Sequence, residues 1–161
     1  MFEGEPMIFE HPSGPLSTLY WLANNHIWFW LASVGIFSLL VGSFLNVVIY
    51  RLPIILDPVK KKAAGTPFNL SKPASHCPKC KNKIKPWQNI PLFSWLVLGG
   101  KCFNCKLPIP WRYPLVELST GAGSVIIAWL CGFTWLAVIG IMGYWLLLVA
   151  LLIIYDTKSL E

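Results

Sequence analysis

Three long apolar runs constrain the fold of this chain more than any other feature of its sequence. The first run, residues 27–50, contains no charged side chain. A helix needs roughly 20 residues to cross the hydrocarbon core of a bilayer, so this run predicts a membrane-spanning helix. A cleaved signal peptide is the alternative interpretation, but such a peptide begins with basic residues, and no Lys or Arg precedes Arg51.

Two further apolar runs, residues 113–131 and 134–155, predict a second and a third span. Only Gly132 and Phe133 separate them, so a tight helical hairpin must connect the two helices. Charged residues make up 12% of the chain, against about 25% in a typical soluble domain. The sequence therefore predicts an all-α polytopic membrane protein with three transmembrane helices.

The charge distribution predicts how these helices are oriented. Twelve of the 13 Lys and Arg lie in residues 51–112, where Asp57 is the only acid. Basic loops stay on the cytoplasmic side, so we expect residues 1–26 to be external and a second cytoplasmic segment to start at residues 156–161. This loop alone carries about +11 by count, whereas the whole chain carries +6. We assign this loop charge to lipid headgroups and orientation, and expect no nucleic-acid partner.

The basic loop divides into two parts by composition. Residues 57–76 are rich in Pro, Lys and small side chains, which predicts an extended linker. Residues 77–112 carry two Cys-Xaa-Xaa-Cys pairs and three Trp, which predicts a small module, with its metal-binding part at residues 77–105. The expected metal ligands are Cys77, Cys80, Cys102 and Cys105.

Two such pairs can bind one tetrahedral Zn²⁺ through four thiolates, in a closed site that organises structure and has no open position for catalysis. A module of this size buries little apolar surface, so metal binding would supply much of its folding free energy. Three alternatives stay open. A disulfide frame needs an oxidising compartment, a thioredoxin-like redox pair needs a strand and a helix, and an iron–sulfur cluster also uses four cysteines. Cys131 is left over and is expected to pack.

Three polar side chains lie in or against the predicted spans. Asn46 is expected to hydrogen-bond between close-packed helices. Glu117, near the start of the second span, is expected to pair with Arg112. Asp156 follows the third span and is a candidate for hydrolytic chemistry, because ionisable groups at the membrane are costly. Such chemistry needs a second carboxylate, and the only other aspartate is Asp57.

Taken together, the motifs resemble the N-terminal half of type IV prepilin peptidases, a bifunctional family of leader peptidases and N-methyltransferases. The resemblance rests on GSFLNVVIYRLP at residues 42–53, on the cysteine segment through RYPLVELSTG at residues 77–121, and on Asp156 after the third span. It implies a bacterial inner-membrane aspartic protease of the GxGD class. The implied substrates are prepilins and pseudopilins of type IV pili or type II secretion.

The resemblance also implies roles for individual residues. Asp156 occupies the position of the family's first catalytic aspartate, and the four cysteines match its zinc-type cysteines. Gly100 and Lys101 match residues associated with methyl transfer from S-adenosylmethionine to the new N-terminus. Glu117 lies in the shared RYPLVEL motif, without an assigned role.

The family also needs a second aspartate in a later Gly-Xaa-Gly-Asp motif, which these residues do not contain. We therefore interpret the chain as an N-terminal fragment or a truncated product, inactive as a peptidase without the remaining C-terminal half. Two alternatives are kept. One is a non-catalytic membrane adaptor with a zinc-binding loop, and the other is a protein with methyltransferase activity only.

Overall fold

The part of the chain that the structure describes, residues 15–64 and 68–158, is mostly helical, and its longest non-helical stretches lie between residues 68 and 111. In this computed structural model the described residues form six α-helices and one 3₁₀ turn, at Pro86–Asn89. Those residues contain no strand, only isolated bridges between His76 and Lys83 and between Lys101 and Pro108. The helices are α1 (Pro15–Asn25), α2 (Ile27–Leu56), α3 (Pro58–Ala63), α4 (Phe93–Val97), α5 (Arg112–Cys131) and α6 (Trp135–Lys158).

Three of these helices, α2, α5 and α6, are long and apolar enough to cross a membrane. The four cysteines lie between α2 and α5. This confirms the predicted fold class, a helical membrane protein with three spans and a four-cysteine module between the first two. Most of the predicted external segment, residues 1–14, and the end of the chain, residues 159–161, lie outside the described residues.

The first span is longer than the run of uncharged residues that predicted it. α2 continues from Tyr50 through Arg51 to Leu56, although Pro53 lies inside it. Thirty residues of α-helix measure about 45 Å, so the last turns of α2 extend beyond a hydrocarbon core of about 30 Å. α2 ends at Asp57, whose carboxylate accepts hydrogen bonds from the backbone N–H groups of Val59 and Lys60 and so caps α3.

The prediction of an extended linker over residues 57–76 is wrong in two respects. The segment begins with α3, which Asp57 initiates. Further on, the side chain of Asn69 accepts hydrogen bonds from the backbone N–H groups of Ser71 and Lys72, which closes a tight turn. The local capping ability of Asp and Asn outweighs the extended tendency of the Pro- and Lys-rich composition.

α2 and α5 pack closely because small residues line both helices at their contact. A Cβ atom placed on Gly42 would lie 2.9 Å from the Cα of Glu117 and 3.0 Å from the Cβ of Thr120. Contacts of this kind let helix backbones approach closely in a membrane, where apolar burial alone does not drive association. The buried small residues of this interface are Ser38, Gly42, Ser43, Thr120, Gly121 and Ser124.

α6 returns along α5 after a short turn. Gly132, with a φ of +64°, forms the turn, and the Thr134 hydroxyl accepts a hydrogen bond from the Ala137 backbone N–H at the start of α6. This confirms the predicted tight hairpin. Tyr144 of α6 donates a hydrogen bond to the Ser119 carbonyl, and the Trp145 indole donates one to the Ser124 hydroxyl.

Substitution of Gly42 by Ala should destabilise the α2–α5 pair, because the new methyl group would press against the backbone of α5. We expect the free energy of unfolding to fall by about 1–3 kcal/mol. The matched control is Gly143→Ala in α6, where a Cβ would meet no described atom within 4 Å. That control should be neutral or stabilising by up to about 1 kcal/mol, because Ala favours helix over Gly. Thermal unfolding in detergent measures the stability of both variants. Equal unfolding midpoints for Gly42→Ala and Gly143→Ala would contradict the close packing of α2 and α5.

Candidate metal centre and the carboxylates beside it

The two Cys-Xaa-Xaa-Cys pairs fold into turns with the same hydrogen-bond pattern. In the first, Lys81 donates its backbone N–H to the Cys77 carbonyl, and Cys77 donates to the Asn82 carbonyl. Lys81 has a φ of +57°, in the left-handed region. The turn requires this conformation, which is uncommon for a residue with a Cβ.

The second turn repeats the first, 25 positions later by residue number. Lys106 donates its backbone N–H to the Cys102 carbonyl, Cys102 donates to the Leu107 carbonyl, and Lys106 has a φ of +58°. Phe103 of the second turn packs edge-to-face against Trp87 of the 3₁₀ turn that follows the first, with ring centroids 5.5 Å apart. Two equivalent turns therefore face each other.

The facing turns bring four sulfur atoms together. The Sγ atoms of Cys77, Cys80, Cys102 and Cys105 all lie within 4.8 Å of one another. The Cys77 and Cys105 sulfurs are 3.6 Å apart, far more than the roughly 2.05 Å of a disulfide bond, and all four thiols are free. Four sulfurs around a tetrahedral ion with bonds of about 2.3 Å would be separated by about 3.8 Å. The cluster could therefore hold a metal ion.

Hydrogen bonding within the turns favours the thiolate form of two cysteines. The backbone N–H of Asn82, helped by the side chain of Asn104 from the other turn, lowers the pKa of Cys80 to about 6. The backbone N–H groups of Cys105 and Asn104 lower the pKa of Cys102. The backbone N–H of Leu107 also favours the Cys105 thiolate, but desolvation and the neighbouring thiols outweigh it and raise the pKa of Cys105 to about 11. A cation among the sulfurs would relieve this crowding of negative charge.

A cleft opens immediately before the second cysteine turn, at Gly100 and Lys101, the residues that the family resemblance associates with methyl transfer. Gly100 has a φ of +65°, and a Cβ placed on it would lie 2.8 Å from the Trp95 indole. The Gly100 carbonyl accepts a hydrogen bond from the Ile109 backbone N–H at 2.7 Å, which fixes the cleft wall. The cleft has a volume of about 410 Å³. Its lining residues are Trp95, Gly99, Gly100, Lys101, Pro108, Ile109, Pro110 and Trp111.

Glu117 joins the cysteine module to the two helices beneath it. Its carboxylate accepts a hydrogen bond of 2.8 Å from the Leu92 backbone N–H and a second from the Ser43 side chain of α2. The predicted pair with Arg112 is wrong. Residues five apart on a helix are separated by about 140° around its axis, so Arg112 and Glu117 lie on different faces.

Arg112 instead forms an ion pair with Asp156. Its guanidinium donates to the Asp156 carboxylate at 2.6 Å and joins the first residue of α5 to the last turn of α6. Asp156 is therefore at the end of the helices from which the cysteine module emerges. The four cysteines and the cleft around Gly100 and Lys101 belong to the module itself, so the structure does not bring Asp156 into the metal cluster.

Asn46 makes the interhelical hydrogen bond that the sequence predicts. Its side-chain amide donates to the Tyr113 carbonyl at the start of α5, at 3.1 Å. This bond fixes how α2 and α5 are aligned along their axes. One helical turn away from Asn46 and Tyr113, Gly42 therefore faces Glu117.

Sequence analysis missed the structural role of Arg51. Only 8% of its surface is exposed, and its guanidinium donates to the carbonyls of Asn69 and Pro73 at 2.8 and 2.7 Å. The same group lies 5.6 Å from the Phe68 ring centroid. Arg51 thus fastens the segment before the first cysteine turn onto α2. The available signal was its position as the first basic residue after the uncharged run of α2.

Comparison with known proteins identifies the family. The family model of the bacterial peptidase A24 N-terminal domain matches residues 36–131. The chain belongs to this family. The match contains most of α2, the whole cysteine module and α5, whereas α6 and Asp156 lie beyond it. The resemblance inferred from the sequence motifs is confirmed.

Curated relatives of this A24 N-terminal domain carry the name prepilin leader peptidase/N-methyltransferase. The protein of Stutzerimonas stutzeri is 43% identical over 156 residues, which cover 90% of this chain and 54% of the relative. That of Pseudomonas aeruginosa is 44% identical over 156 residues, covering 88% and 52%. The chain thus spans about half the length of the curated relatives it matches. No solved structure matches it.

Replacing Cys77 by Ser should prevent the cluster from holding a metal ion, because one of the four clustered sulfurs is lost. We expect metal content, measured by elemental analysis of the purified protein, to fall from about one ion per chain to nearly none. Cys131→Ser is the matched control, since Cys131 ends α5 outside the cluster. Equal metal content in the two variants would contradict the assignment of the site.

Proposed function

We propose that this chain supplies the cysteine module and the first catalytic aspartate of a prepilin leader peptidase and N-methyltransferase. Family membership supports the proposal, together with one geometric observation. The Arg112 guanidinium donates to the Asp156 carboxylate at 2.6 Å, and it holds that carboxylate at the end of the membrane helices from which the cysteine module emerges. There, a carboxylate could reach a peptide bond located where a substrate enters the membrane.

The proposed peptidase reaction uses two carboxylates. One removes a proton from water as the water attacks the scissile carbonyl, and the other protonates the departing amine. We assign Asp156 to this dyad. Asp57 is a poor partner, because its carboxylate caps α3 and the backbone N–H of Lys60 lowers its pKa. The second aspartate is therefore proposed to come from the C-terminal half of a longer enzyme, as in the Gly-Xaa-Gly-Asp motif of the family.

The proposed methyl transfer uses the cleft beside the second cysteine turn. Two indoles, Trp95 and Trp111, lie 4.3 Å apart at this cleft, and aromatic faces attract cations such as a sulfonium. Gly100 and Lys101 would hold S-adenosylmethionine, which supplies the methyl group for the new N-terminus of the processed prepilin or pseudopilin. The volume of about 410 Å³ is in the range of small-molecule sites.

Zn²⁺ is the metal that we propose for the four sulfurs. Four thiolates in a tetrahedral arrangement are typical of structural zinc. Bound there, the ion would join the two turns and so shape the cleft that begins at Gly100. The cysteines would have no direct part in peptide hydrolysis, because a four-sulfur site leaves no coordination position for water.

We propose a bacterial inner-membrane location, with the module in the cytoplasm and the segment before α2 outside. The distribution of Lys and Arg supports this orientation. The reducing cytoplasm would keep the four thiols available for metal. Prepilins of type IV pili or pseudopilins of type II secretion are the proposed substrates, and the lipid bilayer, not nucleic acid, is the partner of the basic loop.

Substitution of Asp156 by Asn in the full-length protein should abolish leader removal, because Asn cannot accept the proton from water. We expect cleavage of a purified prepilin, followed by its gel shift, to slow by about 100-fold to 10,000-fold. Methylation of a pilin already lacking its leader should persist. If Asp156→Asn leaves cleavage intact, Asp156 is not part of the dyad and this proposal is wrong. A full-length protein with Asp156 intact that does not cleave prepilin would instead favour the non-catalytic adaptor or the methyltransferase-only alternative.

Substitution of Gly100 by Ala should impair methylation and spare cleavage, because a Cβ there would displace the Trp95 ring. Gly99→Ala is the matched control. Gly99 has a similar φ of +59°, but a Cβ on it would meet no described atom within 4 Å. Both variants carry the strain of a left-handed residue, about 1 kcal/mol, so only the difference between their methylation rates shows whether the cleft takes part. Methyl transfer from labelled S-adenosylmethionine measures it, and equal losses would exclude this cleft as the site.

A further inference from the structure

The segment 90–98 is an apolar stretch within a basic module. It carries no charge, and its nearest charged neighbours along the chain are Lys85 and Lys101. It contains α4, three of whose side chains project outward: Phe93, Leu96 and Val97 are 60, 69 and 61% exposed. A run of this length is too short to span a bilayer and is typical of interfacial or re-entrant segments.

Hydrogen bonds place this segment deep relative to the charged ends of the helices. The backbone N–H of Leu92 donates to the Glu117 carboxylate, and Glu117 lies about 7 Å along α5 from Arg112. On the neighbouring helix, Gly42 faces Glu117, and it lies about 13 Å along α2 from Arg51. Leu92 therefore bonds to a residue that lies more than one helical turn further into the membrane helices than Arg51 and Arg112.

Several backbone N–H groups of the segment are hydrogen-bonded within the protein, as an environment with little water requires. Ser94, Leu96 and Leu98 donate their backbone N–H groups to the carbonyls of Ile90, Leu92 and Ser94. The N–H of Leu92 precedes these bonds, and Glu117 accepts it. Backbone groups at membrane depth must be satisfied within the protein, and these four N–H groups are.

We propose that residues 90–98 form an interfacial segment that inserts the side chains of Phe93, Leu96 and Val97 into the bilayer beside α5. Membrane lipid is the occupant, because Leu92 anchors the segment to Glu117 of the spanning helix α5, and the exposed side chains beside that helix are apolar. Trp111, 74% exposed, and Lys101 follow at the level of the headgroups, where indoles and basic side chains are favoured. The cleft at Gly100 would then open at the membrane surface.

The test measures the depth of α4 directly. A genetically encoded fluorescent amino acid replaces Leu96, and the full-length protein is reconstituted into vesicles of phosphatidylcholine and phosphatidylglycerol. Quenching is compared for aqueous iodide and for lipids brominated near the glycerol end of the acyl chain. The same probe at Val97 provides a second reporter in case Leu96 does not tolerate it. The control is the probe at Lys79, an exposed residue of the first cysteine turn.

The proposal predicts several-fold stronger quenching by brominated lipid at Leu96 than at Lys79, with iodide showing the opposite order. An apolar face at an interface lies about 5–10 Å below the headgroup boundary, within reach of those bromines. Equal iodide quenching at the two positions would overturn the proposal. Protection from iodide without quenching by lipid would also overturn it, and would show that protein, not lipid, covers α4. Neither readout depends on peptidase or methyltransferase activity.

Discussion

The close approach of α2 and α5 at Gly42 determines how the rest of the structure is arranged. Because Gly42 has no side chain, the backbone of α5 can pack against α2 at the level of Glu117. Glu117 is thereby brought beside Ser43, with its carboxylate directed at the Leu92 N–H of the module. A carboxylate at this depth is stabilised only by such donors, so helix packing and module placement depend on each other.

Two arginines extend this arrangement to the remaining parts of the chain. Arg51 of α2 attaches the loop to that helix, because its guanidinium donates hydrogen bonds to the carbonyls of Asn69 and Pro73, just before the first cysteine turn. Arg112 holds Asp156 and so fixes the end of α6 against the start of α5. The cysteine module is thus attached to the membrane helices by Arg51 just before its first turn and by Glu117 between its two turns, while the four sulfurs lie together where the turns face each other.

Features set by local sequence could be predicted. Apolar runs indicated the three spans, and the spacing of the cysteine pairs indicated a metal cluster, because a Cys-Xaa-Xaa-Cys turn orients its own two sulfurs. The partners of polar groups in distant contacts could not be predicted, although the sequence did predict that Asn46 bonds between helices. The wrong pairing of Glu117 with Arg112 came from proximity along the chain, whereas the true partners, Leu92 and Asp156, lie on other elements.

The sequence by itself determined that this is a helical membrane protein with a four-cysteine module, because hydrophobic length and ligand spacing act over a few turns of chain. Only the tertiary structure decided which polar groups meet. The axial alignment of α2 and α5 decides whether Arg51 faces the loop and whether Glu117 faces the module. That register is set by the fit of Gly42 against α5 and by the Asn46 bond to the Tyr113 carbonyl, neither of which can be read along one helix.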